Sequence, residues 1–400
     1  MQITDLNTEQ TILPILRLGF RPFFLLGSLF SAVALILWGL SLNGVIALDY
    51  YGGANWWHTH EMVFGFTCAI IVGFLLTAVQ NWTGQRGLHG KPLLLLVTIW
   101  LLGRLSLLFP NILGNLATAI IDISFMPLAA LFLALPLIKV KQSRNLFFIP
   151  LLLLFSIANI EMHLVANGLF NLQLQPTTYA CVLLVTFIIS VMAGRVTPMF
   201  TANGTQTDKV ASIELLEKIA NGSLLIILLT YLLHPFFSVS NTVYAILFAI
   251  AAVSQMVRWL RWKPWITLSV PLLWSLHIAV MFIWLGLFAL ALSFVIPTLP
   301  SNHIWHILTV GGMGGLILAM ISRVSLGHTG SPLVVPGLMP FAFMMISFAA
   351  LIRTLGPWLS PENYIIFINF SILTWVLAYG LFIFYYAPKL LKARKDGRPG

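Results

Sequence analysis

Along most of this chain polar positions are too sparse to give a helix a wetted face. Apolar runs of about 20 residues, the length at which an α-helix crosses a bilayer core, follow one another and are broken by short stretches that carry most of the charge. Twelve are predicted, at approximately 23–42, 61–80, 92–109, 114–138, 146–169, 178–199, 213–233, 241–260, 267–296, 304–325, 334–355 and 363–387. The longest connection, near 201–212, is too small to fold by itself. The pattern therefore predicts an all-α, polytopic membrane protein, with residues 1–400 forming a single transmembrane domain and no soluble catalytic domain. Whatever chemistry it performs is done by helices, their ends and what they hold between them.

Composition agrees: 59% of residues are hydrophobic and 8% charged, against about a quarter charged in soluble domains. Arg17 and Arg21 precede the first run, with no small-residue cut site after it, so that run is expected to stay in the protein. Numbering the spans alternately from the inside puts 19 of the 21 Lys and Arg residues, from Arg17 to Arg398, on the inner side. That asymmetry predicts an even number of spans with both termini in the cytoplasm. The net charge of +10 then reads as topology and contact with anionic lipid, not nucleic-acid binding. Cys68 and Cys181 both fall inside spans and imply no disulfide framework.

Three segments end alike: "GFLLTAVQNWTG" at Gly84, "AGRVTPMFTANG" at Gly204 and "AMISRVSLGHTG" at Gly330. The intervals are 204−84 = 120 and 330−204 = 126 residues. They close the second, sixth and tenth spans, so the spacing is four helices each time. Four-helix repeats of about 20–140, 141–262 and 263–390 are predicted, in a pseudo-threefold arrangement.

The motifs "LGFRPFF", "WHTHEMVFGF", "GFLLTAVQNWTG", "GRVTPMFT", "LHIAVMFIWLGL", "WHILTVGG" and "RVSLGHTG" resemble the NnrS family, from Leu18 to the basic tail. The resemblance implies a bacterial inner-membrane protein containing haem b and copper, made in response to nitric oxide and protecting against nitrosative stress. No turnover reaction is implied. A looser similarity is to the large subunit of the haem-copper oxidases, which has twelve helices in three four-helix arcs and histidines near the outer ends of the second and tenth holding a haem. Here His58 and His60 stand at the outer end of the second helix, and His303 and His306 at the outer end of the tenth. The sixth span has no histidine and the seventh only His234, so the oxidase copper site has no counterpart and oxygen reduction is not implied.

An imidazole inside a membrane helix is costly unless partnered, and a metal is one partner. His58 and His60, two residues apart, point about 200° from each other on a helix, so they are not expected to share an ion. His60 is predicted as an axial haem ligand opposite His306, with His58 as its alternative; the competing reading places both in an interfacial belt with Trp56 and Trp57. Gly311, Gly312, Gly314 and Gly315 leave one stripe of the tenth helix bare, for a porphyrin face or for a packed neighbour. His277, mid-span, is the first candidate for copper, with His163 and Glu161 as partners, unless those two simply bond each other. Arg104 and Arg353 are predicted to bind haem propionates; pairing of an arginine with Asp122, or snorkelling to lipid phosphate, competes. Arg195, Met199, Arg323 and His328 form a predicted inner-face polar cluster, otherwise read as snorkelling arginines and a turn.

The function expected is nitric oxide binding or electron transfer at a haem near the periplasmic side, with nitric oxide, lipid and a quinol or cytochrome donor as partners. Enzyme activity is left open. The alternative class is a carrier of a small anion or metal complex, which would be colourless and built as six plus six helices.

Overall fold

The computed structural model describes residues 9–169 and 173–397; Arg398, one of the basic residues assigned to the inner side, lies outside them. All twelve predicted runs are helices long and apolar enough to cross a membrane. In chain order they are α1 Phe20–Leu42, α2 Ala54–Thr83, α3 Gly90–Leu108, α4 Asn115–Lys139, α5 Phe148–Ala166, α6 Leu174–Thr205, α7 Glu214–Leu232, α8 Asn241–Arg261, α9 Pro271–Ser293, α10 Ser301–His328, α11 Met339–Leu359 and α12 Tyr364–Leu390. No strand occurs among the described residues.

The sequence explains several helix ends. Pro271 opens α9, where a missing N–H costs nothing, and the Ser240 hydroxyl caps α8 by accepting from the Val243 amide. Gly84 closes α2 at φ 64°, a left-handed conformation that only glycine adopts without strain. Helix α2 begins seven residues before the predicted apolar run, at 54 and not 61. The apolarity pattern excluded its first turns because they carry polar aromatic residues, yet Trp56, Trp57 and His60 are all buried.

Two helices are not α-helical throughout. Residues Glu61–Thr67 of α2 and Ile307–Gly314 of α10 are π-helical, beginning immediately after His60 and His306. Such segments concentrate at functional sites, because the widened turn releases backbone groups and re-aims side chains. In α2 the Trp100 indole donates to the Gly65 carbonyl (2.9 Å), and the Thr67 hydroxyl reaches the Met62 carbonyl (2.8 Å). The register of the two helices matches beyond the π segments. Gly84 and Gly330, at φ 64° and 66°, each follow their histidine by 24 residues (84−60 and 330−306). The sixth helix differs, since Gly204 is still helical, one residue before the end of α6.

The chain forms two compact units. One holds residues 1–178, 321–334 and 379–400, which means α1–α5 and the C-terminal ends of α10 and α12. The other holds 179–320 and 335–378, covering α6–α9, α11 and the rest of α10 and α12. In the second unit the glycine stripe of α10 is filled by its neighbours: a Cβ on Gly311 would lie 2.5 Å from Phe282, one on Gly312 2.4 Å from Ile283, and one on Gly314 2.5 Å from Trp375. The bare stripe thus lets α9 and α12 approach the α10 backbone, as small residues do in helix packing within lipid.

Candidate functional site

A polar network lies inside the first unit, built from α2, α3, α4, α5 and the loop before α2. His60 and Glu61 are fully buried; Arg104, Asp122, Asn159, His163 and Tyr51 are buried as well. On α5, Asn159 and His163 are four residues apart and share a face, with Asn167 continuing the stripe just past the helix end. On α2, the Trp56 ring stacks on His60 at 4.6 Å with planes 13° apart, and its indole N–H donates to the Met162 carbonyl (2.9 Å). Gly65 makes room for the network: a Cβ there would stand 2.5 Å from Glu61 Oε2 and 2.8 Å from Arg104 Nη1.

Arg104 binds both carboxylates. Its Nη1 donates to Glu61 Oε1 (3.0 Å) and Oε2 (2.9 Å), and its Nη2 donates to Asp122 Oδ1. The other Asp122 oxygen accepts from Asn159 Nδ2 (2.7 Å) and His163 Nε2 (3.0 Å). His163 Nδ1 must then accept, and it does so from the Tyr51 hydroxyl (3.0 Å), which in turn accepts from Asn167 Nδ2 (2.7 Å). Burial raises the Tyr51 hydroxyl above its ordinary pKa, so it serves as a neutral phenol. A cavity of about 360 Å³, lined in part by Gly52, Gly53, Trp56, Val165 and Leu174, borders the network at Trp56.

His60 is the residue whose surroundings call for positive charge. Its Nδ1 faces Glu61 Oε1 at 3.1 Å, and its Nε2 faces Asn159 Oδ1 at 2.8 Å and Asp122 Oδ2 at 3.1 Å. All three are acceptors, the amide because its nitrogen is spent on Asp122. A neutral imidazole has one N–H, so these acceptors are met either by an imidazolium, which donates from both nitrogens, or by a metal cation standing in for one of the protons. The formal charges agree: two carboxylates oppose one guanidinium, leaving −1 when both imidazoles are neutral, which one further proton or a metal cation offsets. Ligand atoms of His60, Asp122 and His163 lie within 4.8 Å of one another, all buried. Two imidazoles and a carboxylate are a donor set for a first-row transition metal. Glu61 at His60 Nδ1 and Tyr51 at His163 Nδ1 stand where partners of ligating imidazoles stand.

The predicted site residues distribute as follows. His60 and His163 come together, around Asp122, which the sequence reading weighed only as a partner for an arginine. Arg104 takes that partner, and Glu61 with it. His58, half-buried, stacks on Trp38 (4.1 Å, 17°). Glu161, two residues from His163, is not in the network; its Oε2 is buried without a partner. His277 belongs to the other unit, where its Nε2 meets the Thr201 hydroxyl at 2.9 Å and its Nδ1 is buried without a partner. His306, half-buried, donates from Nδ1 to the Asn302 carbonyl (3.0 Å), which leaves the lone pair on Nε2. Arg353 donates to His303 Nδ1 (3.2 Å), and His303 lies in the first turn of α10. Of the inner-face cluster, Arg195 and Met199 fall in the second unit and Arg323 and His328 in the first; the His328 ring lies 5.4 Å from that of Phe20, and Met199 is exposed. Asn159 and Tyr51 were missed, although the polar stripe Asn159, His163, Asn167 at intervals of four is visible in the sequence.

The family model described as NnrS protein matches residues 14–394, nearly the whole chain. The chain belongs to the NnrS family. No match is found among curated proteins. NnrS membership makes it a multi-pass membrane protein of the nitric oxide response, in accord with its twelve apolar helices.

Proposed function

We propose that this NnrS protein is a copper- and haem-binding protein of the bacterial inner membrane, acting on nitric oxide through redox or ligand binding at buried metal. The observation that carries the copper reading is the placement of His60 Nε2 against two oxygens with no proton donor among them. A copper ion held by His60, His163 and Asp122 would take the place of the second His60 proton and offset the charge of the carboxylates. This moves copper from His277, His163 and Glu161 to a set that shares only His163 with the earlier one. In it Glu61 holds the His60 ring by its Nδ1–H, Arg104 holds both carboxylates, and Trp56 covers the imidazole face. Copper in such a site supplies a one-electron couple.

His60 is so enclosed that it suits an ion better than the face of a macrocycle. The haem is assigned to His306, whose Nδ1–H bond to Asn302 directs the Nε2 lone pair to a ligand. Haem there would supply an iron able to carry electrons or to bind nitric oxide.

The test is metal analysis of the purified full-length protein, with electron paramagnetic resonance of the oxidised form. One copper per chain with nitrogen splitting, lost in His163→Ala and in His60→Ala, is expected. Undiminished copper in both variants would refute the site, iron in place of copper would change the metal and keep the ligands, and a colourless, metal-free protein would favour the carrier.

A further inference from the structure

The first and third four-helix repeats can be compared residue by residue, using the first residue of each helix as origin. Arg104 stands 14 residues after the start of α3 (104−90), and Arg353 stands 14 after the start of α11 (353−339). His60 and His306 each precede a π segment by one residue. The third repeat has therefore kept the arginine and the helix-two histidine of the first, but not its acids. In the position of Glu61, first residue of the π segment, stands Ile307. In the position of Asp122, seven residues into α4 (122−115), stands Ser371, seven into α12 (371−364), and its hydroxyl is given to the Ala349 carbonyl.

What Arg353 has instead is neutral. It donates to His303 Nδ1 and interacts with the Tyr364 phenol, and the His303 and Tyr364 rings lie 6.0 Å apart. No carboxylate pairs with it among the described residues. The nearest acid in sequence, Glu362, is exposed and bonded to Ser360 and Asn363. Proton bookkeeping then fixes the chemistry of the group. An imidazole accepting at Nδ1 carries its hydrogen at Nε2, and a phenol beside a guanidinium, which can only donate, keeps its own O–H to give. Guanidinium, imidazole N–H and phenol O–H make a half-buried set of donors with a formal charge of +1 and no anion.

We propose that Arg353, His303 and Tyr364 bind a small planar oxyanion, either a free ion such as nitrite or the carboxylate of a larger ligand such as haem. A guanidinium presents parallel N–H groups that match two coplanar oxygens, and the first repeat shows what the same scaffold does when the oxyanion is its own side chain. The inference stands apart from the copper reading, which uses residues of the other unit.

The experiment is calorimetric titration of nitrite, and separately acetate, into the full-length protein in lipid nanodiscs at low salt, before and after removal of any haem, with haem content read from the Soret band. Saturable nitrite binding that weakens at least about tenfold in Arg353→Gln and several-fold in Tyr364→Phe, with haem content unchanged, identifies a free oxyanion. Loss of haem in Arg353→Gln, with nitrite binding only the haem-free wild type, identifies a ligand carboxylate. Both support the site. It is overturned if neither nitrite nor acetate binds haem-free protein and Arg353→Gln keeps its haem, as when lipid phosphate neutralises the arginine. Tyr364→Phe retains the charge and decides the matter if Arg353→Gln does not fold. Copper content should be the same in both variants, so failure here is distinguishable from failure of the copper site.

Discussion

Replacing Asp122 with asparagine keeps the side chain's shape and removes its charge. Both oxygens of Asp122 accept hydrogen bonds, Oδ1 from Arg104 and Oδ2 from Asn159 and His163. An amide has one oxygen, so its nitrogen is forced against a donor on one side or the other. Removing one partner from a buried ion pair costs about 3–5 kcal/mol, and because Glu61 still holds Arg104, the loss here belongs at the lower end, about 3 kcal/mol. Glu61→Gln strips the same guanidinium of its other partner and should destabilise to a similar degree. The two variants part company over metal. Asp122 supplies an oxygen to the candidate site, whereas Glu61 touches only the far nitrogen of His60, a contact whose loss typically weakens a metal about 10–100-fold without abolishing binding. Thermal unfolding in nanodiscs, with copper titrated into each variant, is the assay. Comparable destabilisation is expected in both, with copper absent from Asp122→Asn and recovered at high copper in Glu61→Gln. Equal retention of copper, or stability unchanged in both, would refute the reasoning.

Gly65→Ala should cost about 1–3 kcal/mol as an overpacking change and reduce copper binding, since the added methyl group meets Glu61 and Arg104; unchanged unfolding and full copper would contradict the packing described. Arg21 donates to the carbonyls of Leu390 (2.8 Å) and Lys392 (2.7 Å) at the end of α12, so Arg21→Gln should expose the tail after Leu390 to faster trypsin cleavage with copper content unaltered, read by timed digestion and mass spectrometry. His306→Ala should abolish or shift the Soret band, and a normal haem spectrum would remove α10 from the haem assignment.

The spans were legible because lipid demands long uninterrupted apolar runs, and few other structures need them. The site was legible only in part. His60 and His163 stood out as imidazoles in apolar helices, but their convergence depends on how α2, α4 and α5 pack, which no local pattern specifies. Asp122 was visible as an isolated acid in α4, yet nothing nearby in sequence chose between its possible partners. Glu161 was paired with His163 against the helical geometry that had already separated His58 from His60: residues two apart face opposite sides. Applied consistently, the same rule points from His163 to Asn159, which is the neighbour the structure shows. The glycines of α10 admitted two explanations, and side-chain packing from α9 and α12 fills the space beside three of them.

The widened turns in α2 and α10 have a consequence for how such a membrane protein changes over evolutionary time. One extra residue within a helix rotates everything before it by about 100° relative to everything after, so each half can be matched to its own neighbours. The segment beyond Cys68 can keep its fit against surrounding spans while a single insertion or deletion upstream re-aims His60, Trp56 and their companions. The orientation of His60 and His306 is thus a matter of chain length as much as of residue identity, and a one-residue deletion between 61 and 67 should disturb the network around His60 more than most substitutions there.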